Sequence, residues 1–171
     1  MSHLALPTVG PVTNKPRSLP DSAALLDRID RLLEDDNPHE ALGLLSQTDT
    51  PWLRNARGVC LLRLDRVGQA IDALRDLVFD PTGFAFRADA NPVCQANYAT
   101  ALLLDGNTDG FFSVLGAIRD RNHAAVARLD DAIRRWKAGM TFWQRVASIL
   151  GIGGPRLTLD FQPGDLYRAD E

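Results

Sequence analysis

The chain has 171 residues, 45% hydrophobic and 24% charged, which suits one globular domain with a substantial core. Its net charge of −3 provides no overall positive surface for nonspecific nucleic-acid binding, which depends on displacing counterions from phosphates. No run approaches the roughly 18 uninterrupted apolar residues of a membrane span. The opening MSHLALPTVGPVTNKPRSLP also lacks a charged start followed by an apolar run, so a cytoplasmic location is the expectation.

Residues 1–19 contain Pro7, Pro11 and Pro16 without an apolar period, which predicts a mobile, extended arm. Helix starts then recur as a capping residue followed by proline, whose missing N–H costs nothing in a first helical turn: Asn37-Pro38, Thr50-Pro51 and Asn91-Pro92. Ser18-Leu19-Pro20-Asp21 and the Asn37/Glu40 pair add arrangements like a capping box. Apolar residues at helical spacing place helices over 20–35, 38–46, 51–64, 67–79, 92–105 and 107–119. The connection from Asp80 to Asn91 is longer than usual, and its Phe84 and Phe86 are expected to tuck onto neighbouring helices.

Val126, Leu129, Ile133, Trp136 and Met140 form one apolar stripe on a helix over 123–139. Thr141 and Gln144 then have capping-box spacing ahead of a second apolar face, Phe142, Val146, Ile149 and Leu150, which ends at Gly151–Pro155. The tail alternates Leu157, Leu159 and Phe161 with polar neighbours, as in an extended segment lying against the body.

The stretch Gly58–Pro81, GVCLLRLDRVGQAIDALRDLVFDP, resembles a tetratricopeptide repeat. Gly58 and Ala70 stand at the small positions of the two helices, Pro81 closes the unit, and Leu61, Leu64, Ile71, Leu74 and Leu77 fill the apolar positions. Degenerate copies lie on either side. Ala41 matches Ala70 at an offset of 29, and Gly110 matches it at an offset of 40, while Ile29 and Tyr98 replace the small Gly58. The resemblance implies an all-α fold, a right-handed array of about three antiparallel hairpins over 20–121. Additional C-terminal helices (122–154) and an extended tail (155–171) follow.

Within the family, first helices line a concave groove for a peptide or partner helix. Carried across, the lining residues are Leu26, Asp30 and Leu33, then Asn55, Val59, Leu62 and Arg63, then Gln95, Ala99 and Leu102. The implied function is an adaptor or chaperone-like scaffold for a protein partner. Val59 and Ala99 stand where the family's carboxylate clamp carries asparagine, which argues against that mode of binding. The chain's own Leu157, Leu159 and Phe161 are an alternative occupant.

No catalytic constellation or cofactor motif appears, so an enzyme is not expected. The run Asp105-Gly-Asn107-Thr-Asp109-Gly110 matches the first half of a calcium loop, but its twelfth position is Gly116, and it aligns with the repeat's inter-helix turn. His3, His39 and His123 lack ligand spacing, and Cys60 and Cys94 read as small buried hydrophobes. Charge is unevenly spread: residues 119–156 hold eight basic and three acidic side chains, +5, leaving −8 elsewhere. With Trp136, Phe142 and Trp143 interleaved, this stretch carries the runner-up reading, a peripheral membrane module.

Overall fold

A computed structural model describes residues 19–46, 50–83, 85–141, 144, 157 and 159–168. The expected N-terminal arm, Phe84, the helix expected after Thr141 and the glycine-rich 151–155 segment lie outside the described residues, Gln144 apart. The described chain is all-helical. Its helices are α1 (Leu19–Glu34), α2 (Pro38–Leu44), α3 (Pro51–Arg63), α4 (Val67–Val78), α5 (Pro92–Leu104), α6 (Thr108–Ala117) and α7 (Ala124–Gly139).

Proline punctuation sets three of these starts, since Pro38, Pro51 and Pro92 each open their helix. Only Asn91 of the three preceding residues also caps with its side chain, accepting from the Val93 amide at 2.8 Å. At Asn37 and Thr50 no side-chain cap forms, so the fixed proline φ marks those boundaries. His123, which lacks ligand spacing in the sequence, caps α7 by accepting from the Ala125 amide. Thr141 and Gln144 make the expected reciprocal capping box: the Thr141 amide donates to Gln144 Oε1 at 2.9 Å and the Gln144 amide to Thr141 Oγ1 at 3.3 Å.

One turn is built three times. Asp36, Asp65 and Gly106 adopt left-handed φ angles of 56°, 57° and 83°. The next amides, of Asn37, Arg66 and Asn107, donate back to Leu32, Leu61 and Leu102 at 2.7, 2.9 and 2.8 Å. This is the Schellman closure of a helix, and aspartate tolerates its left-handed residue better than most side chains. The turns are separated by 29 residues (65 minus 36) and 41 (106 minus 65), close to the offsets of the apolar pattern. The calcium-like run is the third of these turns, with Asn107 capping α6 by accepting from the Gly110 amide.

Each helix packs on its successor through α6, while α3 contacts both α1 and α5 and α7 lies on α5. Gly58 allows the tightest approach: a Cβ there would stand 2.5 Å from Leu74 Cγ. Two apolar clusters meet within α3. One joins α1, α2 and α3 around Leu26, Ile29, Leu33, Ala41 and Val59, and the other runs from α3 to α7 around Leu74, Val93, Phe111, Val126 and Leu129. The long connection folds on itself through an antiparallel bridge, Phe79 to Phe86. Phe86 stacks on Phe79 at 4.9 Å, and Phe79 meets the edge of Tyr98 at 5.6 Å.

Candidate functional site

The C-terminal tail, residues 159–168, crosses α7, α5, α3 and α1 and occupies the face that the first helices share. Its last described residue, Arg168, donates to Asp27 at 2.7 Å and to Asp30 at 3.1 Å, both on α1. Three positions earlier, the backbone of Asp165 is gripped by two asparagines. Asn55 Nδ2 and Asn97 Nδ2 both donate to the Asp165 carbonyl, at 2.9 and 2.7 Å, and the Asp165 amide donates to Asn97 Oδ1 at 2.9 Å. Asn97 Nδ2 also donates to Asn55 Oδ1 at 2.8 Å, which closes the set. Both asparagines are buried, at 0% and 1% exposure, so each bond offsets a desolvation that would otherwise be uncompensated.

Gly164 lies directly on Val59. Its φ is 88°, and a Cβ would stand 3.0 Å from Val59 Cγ2, so both backbone conformation and space favour glycine. The Asp165 carboxylate pairs with Arg128 of α7, whose guanidinium also lies 5.9 Å from the centre of the Phe161 ring. Asp160 pairs with Arg135 at 2.8 Å. Leu157, Leu159, Phe161 and Tyr167 pack against the larger apolar cluster and Leu166 against the smaller. A hollow of about 540 Å³ remains beside the tail, between its Leu157 and Phe161 and the end of α5 at Leu103 and Leu104.

The residues expected to line a groove divide into two groups. Asp30, Asn55 and Val59 meet the tail. Leu26 and Leu33 are buried in the smaller cluster, and Leu62, Ala99 and Leu102 in the larger. Arg63 ties α3 to α1 by donating to the Leu33 carbonyl at 2.8 Å. Gln95 is buried beside a separate hollow of about 350 Å³ near Phe86, Arg87 and Arg119.

Sequence reasoning did not find Asn97, Asp27, Arg128 or Arg168. One signal pointed to the first: α5, PVCQANYATALLL, carries no charged residue, so it is covered on more than one side and its asparagine needs an internal partner. No local pattern pairs Arg168 with Asp27, 141 positions away.

The chemistry available here is hydrogen bonding, ion pairing and apolar contact. Burial pushes the Cys60 thiol up to about 11 and that of Cys94 up to about 12, which leaves both protonated and unreactive. Among the described residues no group of three His, Cys, Asp or Glu side chains could hold a metal ion, and no helix is long and apolar enough to cross a membrane. In the basic stretch Arg121 pairs with Asp130 and Arg134 with Asp131, while Arg128 and Arg135 pair with the tail. Comparison of the chain with protein-family models, with curated proteins and with solved structures yields no match.

Proposed function

We propose that this chain is a protein-interaction module of the tetratricopeptide type, a right-handed array of about three degenerate hairpins that acts as an adaptor or chaperone-like scaffold. It grips a non-helical polypeptide segment along α1, α3 and α5. The thrice-repeated turn and the side-by-side contact of the first helices support the hairpin array. One observation carries the function: two buried asparagines are turned on a main-chain amide and carbonyl, a form of recognition that holds any strand in a fixed register.

The test uses the full chain with Gly164→Val, which forces a β-branched residue into a left-handed φ and against Val59 and so displaces the tail. A fluorescent peptide of residues 157–168 should bind this variant, as read by anisotropy. Adding Asn97→Ala should weaken it by about tenfold or more, since several buried hydrogen bonds are lost. A displaced tail with no binding of the peptide would refute the reading.

A further inference from the structure

We infer that the tail is a built-in pseudo-ligand, and that the groove's external partner is a protein segment carrying the pattern Gly-Asp-x-x-Arg, which displaces it. This inference rests on the proposed groove function and specifies its partner. The tail shows what the groove reads at each point. Val59 selects glycine, because the site holds a left-handed φ and a Cβ would crowd the Val59 methyls at 3.0 Å. Arg128 reads an acidic side chain at the next position. Asp27 and Asp30 read a guanidinium three residues later, through two separate nitrogens of one planar group.

The spacing follows from the fold. Three residues of extended chain reach about 10 Å, and packed helices lie about 8–10 Å apart. A strand clamped at Asn55 and Asn97 therefore presents its third following residue to α1. The two charged ends also fix direction: with a cation on α7 and anions on α1, a segment entered backwards would set like charges together. Asn55 and Asn97 hold the backbone whatever the side chains are, so affinity and selection come from different groups.

A tail on the same chain competes strongly. Tethering gives it an effective concentration of about 1 mM, so a free segment with a Kd of about 10 μM is held back about a hundredfold in the intact chain. A partner must therefore match the pattern and add contacts of its own, and the hollow beside Leu104 is adjacent to where it would continue.

The experiment measures anisotropy of the labelled 157–168 peptide with three full-length proteins: the native chain, Gly164→Val, and the tail double variant Asp165→Arg with Arg168→Glu. Trypsin cleavage at the tail arginines reports tail release. We expect the released chains to bind the peptide at least tenfold more tightly than the native chain. Within the peptide, Gly→Val should lose more than tenfold, while Asp→Asn and Arg→Gln should each lose up to about fivefold, as suits half-exposed ion pairs. In the Gly164→Val background, Asp27→Arg with Asp30→Arg should reverse the preference, favouring a peptide with Glu in place of its arginine. Equal binding of all peptides by the released chains would overturn the pattern and leave the groove function standing. No binding by a chain whose tail is free would overturn both. A native dimer that either tail variant abolishes would make a second copy the occupant, and overturns the external partner.

Discussion

Replacing Asn97 by alanine tests the clamp where it is most concentrated. The side chain makes three contacts: it donates to the Asp165 carbonyl and to Asn55 Oδ1 and accepts from the Asp165 amide. At about 1 kcal/mol net for each bond, with the Asp165 amide and Asn55 carbonyl left without this partner, the loss is about 3 kcal/mol. That is a large share of the roughly 5–15 kcal/mol that stabilises a domain of this kind. The cost is bounded, because once the tail lifts off, water reaches Asp165 and only Asn55 remains affected. Urea unfolding followed by circular dichroism should show the loss, and amide exchange at Asp165 should accelerate by about a hundredfold, the equivalent of about 3 kcal/mol. Asn97→Asp is the sharper companion. It keeps the acceptor for the Asp165 amide but turns a carboxylate oxygen towards the Asp165 carbonyl and Asn55 Oδ1, so it should cost at least as much as alanine. An unchanged urea midpoint together with unchanged Asp165 exchange in Asn97→Ala would refute the clamp. Better tolerance of aspartate than of alanine would show that the donor role has been misassigned.

Leu62→Glu with Leu102→Glu places charges at positions only 3% and 7% exposed, so it should abolish the cooperative unfolding transition followed at 222 nm, and a folded double mutant would contradict their place in the core. Gly58→Ala gains about 1 kcal/mol in helix propensity but sets a methyl 2.5 Å from the buried Leu74, an overpacking cost of about 1–3 kcal/mol. The melting temperature should therefore fall, and a rise would mean that α3 and α4 are not this close. Cys60 and Cys94 should resist thiol reagents at pH 8 until denaturant is added, whereas native reactivity within minutes would place them at the surface. Their folded pKa values of about 11 and about 12 lie above the ordinary 9.0, so the folded chain holds their protons where the unfolded chain has lost them. Stability should fall with pH from about 9 towards 12, by up to about 1.4 kcal/mol per unit for each thiol. Cys60→Ala with Cys94→Ala should flatten that slope.

The helices were legible because their limits are local. A proline locks φ at the start of α2, α3 and α5, and Asp36, Asp65 and Gly106 close α1, α3 and α5 with the same turn, so these boundaries are written within a few residues of themselves. The groove was less legible because its register depends on the long connection between α4 and α5. The small residues give an offset of 40 and the turns 41, whereas the two asparagines that meet, Asn55 and Asn97, are 42 apart, so matching by the small residues misses the contact by two residues, about 200° of rotation on a helix. Alignment therefore selected Gln95 and Ala99 on α5, whereas Asn97 faces Asn55. Leu62 and Leu102 were assigned to an open surface because apolar groove lining and apolar core have the same composition. What separates them is whether anything covers the helix, and α5 had already declared its cover by carrying no charge.

The two-sided charge of the chain takes a definite meaning from the tail. Residues 157–171 carry four acidic side chains and one arginine, and two of those acids, Asp160 and Asp165, pair with Arg135 and Arg128 of the basic stretch. Two of the eight basic side chains in that stretch thus face an acidic segment of the same chain. The four tail ion pairs among the described residues, these two and those of Arg168 with Asp27 and Asp30, join partly exposed groups, and such pairs contribute at most about 1 kcal/mol each and weaken in salt. The asparagine clamp and the apolar residues from Leu157 to Phe161 therefore supply most of the docking energy, and they distinguish poorly among sequences. The charges are weak but placed at both ends, so in the proposed groove their main effect is to set the direction and register of the bound segment.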